Sequence, residues 1–263
     1  MLYLSKKKTN METKLKSTLA ISVSIILTAW ILGSAFKKRN ENLDSISVIG
    51  LGTKDFVSDE ILWSGSFTTN SMDIKTAYTK IVNDQKIVTD FFVSKGFKSN
   101  EFSFGAVNFQ KKFKEIRKED PNNPDQNQIE QVFEGYEATQ SIIFSAKKNP
   151  VMMQKIEAVS NKTSELINSG IELSSNTIQY TYSNLPSLKQ SLIEKATQDA
   201  SERANKIVNT ADGAIGKLKS ASMGVFQITG QGSTEEDSYG GINDIYSKNK
   251  TARITVRLEY GLE

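Results

Sequence analysis

The residues best suited by type and spacing to do chemistry lie near the C-terminus. Glu235, Glu236 and Asp237 are adjacent, with Tyr239 two positions on. Carboxylates at that density can hold a cation weakly, and a tyrosine beside them can touch a partner. Three neighbouring acids do not converge on one point without a scaffold, so the plainer reading is a solvated loop. They sit in residues 230–249, a stretch with glycines at 230, 232, 240 and 241. Loops of that length are functional or disordered more often than not. This one is the candidate partner-binding or lid segment, with Glu235, Glu236, Asp237 and Tyr239 as its candidate residues.

Other routes to chemistry are narrow. The 263-residue chain has no cysteine and no histidine. That excludes a disulfide, a thiolate nucleophile, a Cys/His zinc site, a Ser-His-Asp triad and an imidazole base. Carboxylate pairs and Ser-Lys pairs remain. No two acids stand at a distinctive spacing beside sugar-stacking aromatics, and Ser-Lys pairs recur by chance. Gly50-Leu51-Gly52 lacks the third glycine of a dinucleotide fingerprint and the Gly-Lys-Ser/Thr of a P-loop. It reads as a strand end or bulge. The Asp/Asn spacing in 115–130 resembles a calcium loop, but the required glycine is missing and Pro124 interrupts it. No catalytic, cofactor-binding or metal residue is assigned, and no cofactor is expected. The chain reads as a non-enzyme. A carboxylate-based hydrolase or a small-ligand-binding module of the periplasm is the alternative.

The net charge of +3 divides unevenly. Residues 1–39 hold eight Lys/Arg and one acid, Glu12, a net of +7. Residues 40–263 keep 25 bases and 29 acids, a net of −4. A mildly acidic body argues against nucleic acid as a partner.

From Ser17 to Phe36 there are 20 residues without a charge, long enough for a bilayer core about 30 Å thick. Lys6, Lys7, Lys8, Lys14 and Lys16 precede this run, and Lys37, Lys38 and Arg39 follow it. An uncleaved signal anchor is the preferred reading. A signal peptide cut after Ala35, giving a periplasmic or secreted body, is the alternative. Five bases before against three after favour the N-terminus inside and the body outside. Met11 is a second candidate start. The expected layout is a cytoplasmic basic tail over 1–16, a transmembrane anchor over 17–36, a linker over 37–45 and one domain over 46–261. The expectation is a single-pass membrane protein with its N-terminus inside and its body outside.

The elements of the body follow from periodicity. Strands are expected over 46–51, 60–70, 101–113, 131–147, 176–183, 217–229 with a bend near Gly224, and 250–259. A hairpin tip is expected over 115–130. Helices are expected over 71–95, with Ser71 as N-cap, and over 150–169, capped by Asn149. A third is expected over 186–211, where Leu188, Leu192, Ala196, Ala200 and Ala204 recur every four residues and Ser187 begins a capping box. The fold class is α+β: a mixed, largely antiparallel sheet packed by about three helices, preceded by one transmembrane helix.

Several ordered stretches resemble the SIMPL-domain family of bacterial envelope proteins. ISVIGLGTKDFVSDE resembles its opening I-x-V-x-G-x-G strand, and FEGYEATQSIIF its strand with Gly135, Tyr136 and Ala138. Ala196, Ala200 and Ala204 match an A-x-x-x-A-x-x-x-A helix. Gly216-Lys217-Leu218 matches a G-K-V step, and TARITVRLEYGL a closing strand. Ser58 stands where proline is usual, and Gly213 is displaced by one, with Asp212 in the glycine position. The resemblance implies an exported or membrane-anchored protein without established catalytic residues, and with the charge pattern an inner-membrane, single-pass chain whose body faces the periplasm. It also implies a homo-oligomer, since some members form ring-like or channel-like assemblies, and a link of some members to oxidative-stress tolerance. Any protein partner is left unidentified.

Overall fold

The structure is a computed structural model and describes residues 18–19, 21–36, 45–118, 128–233 and 240–263. Residues 21–36 form helix α1, whose side chains are all exposed. Among the described residues no helix is long and apolar enough to cross a membrane. The body runs β1 (Ser45–Val57), β2 (Glu60–Ser71), α2 (Ile74–Ser94), β3 (Phe102–Phe104), β4 (Asn108–Lys118) and β5 (Gln128–Lys147). It continues through α3 (Pro150–Ser160), a 3-10 helix (Thr163–Ser169), β6 (Leu173–Ser175), β7 (Gln179–Thr181) and α4 (Leu185–Thr210). β8 (Ile215–Met223), β9 (Gln227–Gly230) and β10 (Asn249–Leu262) complete it. This is the expected α+β class, with antiparallel sheets.

The described chain divides into two compact units, one drawn from Met1–Gly52, Ile193–Gly224 and Ile254–Glu263, the other from Thr53–Leu192 and Val225–Arg253. In the first, the strand order is β1-β10-β8. β10 runs antiparallel to β8, from Val256 opposite Met223 to Leu262 opposite Ile215. Ile254, Val256 and Leu258 are buried, as their alternation predicts, and Ala196, Ala200, Ala204 and Val208 of α4 are buried with them in this unit. Small residues on the helix let the strand backbone come close. A Cβ on Gly50 would lie 2.1 Å from the Ala196 carbonyl oxygen and 2.4 Å from the Ala200 nitrogen. Gly50 is therefore mid-strand in β1, not a strand end or bulge. It is glycine because the helix leaves no room for a side chain.

In the second unit six strands are ordered β3-β5-β2-β6, with β4 also on β5 and β7 also on β2. β2 and β5 pair antiparallel along their whole shared length, from Glu60 opposite Lys147 to Ser71 opposite Tyr136. One face carries the core: Ile61, Trp63 and Phe67 of β2, Ala138, Ile142 and Phe144 of β5, and Ala77, Ile81, Val88 and Phe92 of α2. Phe92 and Phe144 pack with ring centroids 4.8 Å apart, and Trp63 lies 5.3 Å from Phe144. The Trp63 indole donates to Ser175 Oγ at 3.0 Å, so its one polar atom is satisfied.

Several expectations are corrected. Ser71 ends β2, and Asp73 caps α2 by accepting from the Thr76 amide at 2.8 Å. The strand expected over 101–113 is broken, because residues 105–107 leave the ladder and Ala106 is exposed. In β5 the buried row is Ala138, Ile142 and Phe144, whereas Ile143 is exposed. A strand alternates faces, so position 143 lies on the side of the sheet opposite Ala138, Ile142 and Phe144. Asn149 does cap α3, accepting from Met152 at 3.1 Å, but the α-helix ends at Ser160 and Val151 and Ile167 are exposed. On α4 the cap is Asn184, which accepts from the Ser187 amide at 3.4 Å. The α4 stripe is buried from Leu188 to Val208, while Ile207 is exposed. Of the tip expected over 115–130, residues 115–118 and 128–130 are strand, β4 and β5 pairing out to Lys118 opposite Gln128, and residues 119–127 lie outside the described residues.

Candidate functional site

The long loop is held at its ends by an antiparallel ladder, with Lys250 opposite Gly230 and Thr251 opposite Thr229. Glu235, Glu236, Asp237 and Tyr239 lie outside the described residues. What is described is the root of the loop, and its polar side chains are tied down one by one. Asp244 Oδ1 accepts from the amides of Tyr246 at 2.7 Å and Ser247 at 3.1 Å. Burial pushes the Asp244 carboxyl up, but hydrogen bonds from Ser247 and Tyr246 outweigh it and hold the group below the usual carboxylate range. The Ile228 amide donates to Ile242 at 2.7 Å, and the Asp244 amide to Ile228 at 2.9 Å. A cavity of 370 Å³ opens here, lined by Gly230, Ser233, Asn243, Asp244, Tyr246 and Ser247 among others.

Lys250 is the unusual member. Only 2% of it is exposed, and its ammonium donates to the backbone oxygen of Asp244. Burial pulls the amine below its ordinary range, partly offset by the Asp244 charge. The neighbouring Thr229 hydroxyl is buried without a hydrogen-bond partner among the described residues.

A second tie starts on α3. Glu157 accepts from Lys248 Nζ at 2.8 and 3.1 Å and from the Tyr180 hydroxyl at 3.0 Å. Burial, then the Glu157 carboxylate, push the Tyr180 phenol up to about 12. The Tyr180 amide donates to Ile245 at 2.7 Å. Asp55 accepts from Thr251 Oγ1 at 2.6 Å and from Gln231 Nε2 at 3.2 Å. Asp59 accepts from the Ser183 amide and hydroxyl at 2.7 and 2.6 Å; burial raises its carboxyl, and these bonds outweigh burial and hold it low.

These carboxylates serve as loop anchors. Each of Asp55, Asp59, Glu157 and Asp244 is occupied by donors from the chain. Among the described residues no three metal-ligating side chains come together. The arrangement fixes the two described ends of the long loop. Sequence reasoning located the loop but missed Asp244, Lys248, Lys250, Glu157 and Tyr180. One signal was present: the alternation of Ala252, Ile254 and Val256, carried one step back, puts Lys250 in the buried row.

The fold and this loop root define a class: an α+β protein with antiparallel sheets whose polar residues brace connections. The SIMPL family model, described as a protein of unknown function (DUF541), matches residues 46–260. The chain belongs to that family. No curated protein matches it.

Proposed function

We propose that the protein is a non-enzymatic, membrane-anchored envelope protein whose exported SIMPL body self-associates or binds a protein partner, in envelope or oxidative-stress tolerance. The observation that carries the anchor is at the N-terminus. The uncharged run Ser17–Phe36 includes helix α1, on which Ile26, Trp30 and Phe36 are 67%, 73% and 71% exposed. An apolar helix whose side chains are all exposed among the described residues has a natural environment in lipid. Bases on both flanks support the same reading. A body without histidine or cysteine, and with the loop-root carboxylates engaged, favours binding over catalysis.

The test is fractionation of cells expressing the intact chain, with alkaline washing of the membranes and intact-mass measurement. The protein should stay with the washed membranes at its full mass, and deletion of residues 17–36 should release it. A full-mass chain found wholly in the soluble fraction would sink the anchor. A shortened chain ending its leader at Ala35 would replace it with the cleaved, periplasmic form.

A further inference from the structure

The β4–β5 arm carries an apolar face that continues the core and that no described residue covers at its outer end. Along it Phe109 is opposite Ala138, Lys111 opposite Tyr136, Phe113 opposite Phe133 and Glu115 opposite Gln131. Cross-strand partners share a face, so these residues form one row. The register steps by one residue between Lys112 and Phe113. Gly135 makes that step possible: its φ is 130°, and a Cβ there would lie 2.7 Å from the Ser71 carbonyl oxygen. The rings follow one another outwards, with centroids 6.4 Å apart for Tyr78–Phe109, 5.3 Å for Phe133–Tyr136 and 5.8 Å for Phe113–Phe133. Exposure rises along the row, from 0% at Ala138 to 36% at Phe133, 49% at Phe113 and 59% at Ile129. A two-stranded ribbon with an open aromatic face is marginal in water.

The edge of the arm is guarded, and the face is not. Among the described residues β4 pairs only with β5, and no strand lies on its outer edge. Lys112 and Lys114 lie along that edge strand, and like charges brought opposite one another there oppose edge-to-edge pairing.

We propose that this face is the contact with a second copy of the chain, arm stacked on arm about a two-fold axis through Phe113. The proposal rests on the self-association reading above and names its surface. The charges on the face are self-complementary. Lys111 lies two positions before Phe113 and Glu115 two after, on the same side of the strand. Rotation about Phe113 therefore sets Lys111 of one copy over Glu115 of the other, twice. Neither residue is in a hydrogen bond or ion pair among the described residues. An anionic lipid surface fits less well, because residues 119–127 contain Glu119, Asp120 and Asp125 and no base.

The experiment is light scattering of the full chain in a mild detergent across a concentration series. The intact chain should assemble, and Phe113→Ser should lower the mass. Lys111→Glu and Glu115→Lys should each weaken assembly roughly tenfold, and the double variant should restore it. The absence of cysteine makes the register directly readable. Lys111→Cys mixed with Glu115→Cys should join through a short bismaleimide better than either variant alone. An intact chain that stays monomeric throughout overturns the self-association reading and this contact together. An assembly whose mass ignores Phe113→Ser, or whose strength ignores both charge reversals, overturns the arm contact and leaves the broader reading standing.

Discussion

At the scale of the residue, Lys250 is the side chain whose position is hardest to hold. An ammonium has three donors, and among the described residues a single backbone oxygen, that of Asp244, accepts from it. Its pKa in the fold is lowered, mainly by burial. The unfolded value is about 10.4. Between the folded and unfolded values the unfolded chain binds the extra proton, so stability rises with pH across that window and levels off above it. Wherever the amine is charged its burial is a cost, offset by the loop it ties. Lys250→Met should therefore change global stability at pH 7 by only about 1 kcal/mol in either direction. It should also flatten the rise in stability as pH climbs towards the ordinary lysine value of about 10.4, while the loop becomes a faster target for protease. Denaturant unfolding at two pH values, with limited proteolysis, measures all three. A loss of several kcal/mol that is the same at both pH values would show Lys250 to be a net stabiliser and refute the argument.

At the scale of the element, α4 and β1 of the first unit depend on each other's smallest residues. Gly50 faces Ala196 and Ala200 at distances that admit no methyl group. On the same helix Asp199 accepts from the Leu51 amide at 2.8 Å and from Arg203 Nε at 2.9 Å. The Leu51 and Arg203 hydrogen bonds hold the Asp199 carboxyl below its usual range. Gly50→Ala should push helix from strand, costing about 3 kcal/mol, or roughly 6–12 °C in Tm. Calorimetry reads this, and a shift under 2 °C would show that the helix slides away freely. The helix and β10 were legible in the sequence because their buried residues repeat at fixed intervals. The role of Gly50 was not, because its cause is a helix far along the chain. β6 and β7 span three residues each, too few to show a period, and only β7 was anticipated, inside a longer strand. The break at 105–107 was hidden by phenylalanines that continue the alternation on paper. For the candidate site the loop was legible from length and glycine content. The loop-root ties were not, since Glu157, Tyr180 and Lys248 come from three separate elements.

At the scale of the whole molecule the charges divide between a basic N-terminal flank and an acidic body, and this division sets the proposed orientation. Lys6, Lys7, Lys8, Lys14 and Lys16 stand before the uncharged run; Lys37, Lys38 and Arg39 stand after it. Orientation follows the side richer in Lys and Arg within about 15–20 residues of the span, and acidic residues contribute little. The margin is five against three, so the balance is reversible by a few substitutions. Replacing all five leading lysines by glutamine leaves three bases, all on the body side. The body should then be retained on the cytoplasmic side in a large fraction of molecules. A reporter enzyme active only outside the cytoplasm, fused after Glu263, measures the outcome. The native chain should give high reporter activity and the five-glutamine chain several-fold less, with equal amounts of protein in the membrane. Restoring balance by also replacing Lys37, Lys38 and Arg39 should recover activity. Unchanged activity in the five-glutamine chain would mean that the flanks do not orient the protein. The span would then be inserted by its hydrophobicity and the folding of the body, and the basic pI of 8.8 would carry no topological information.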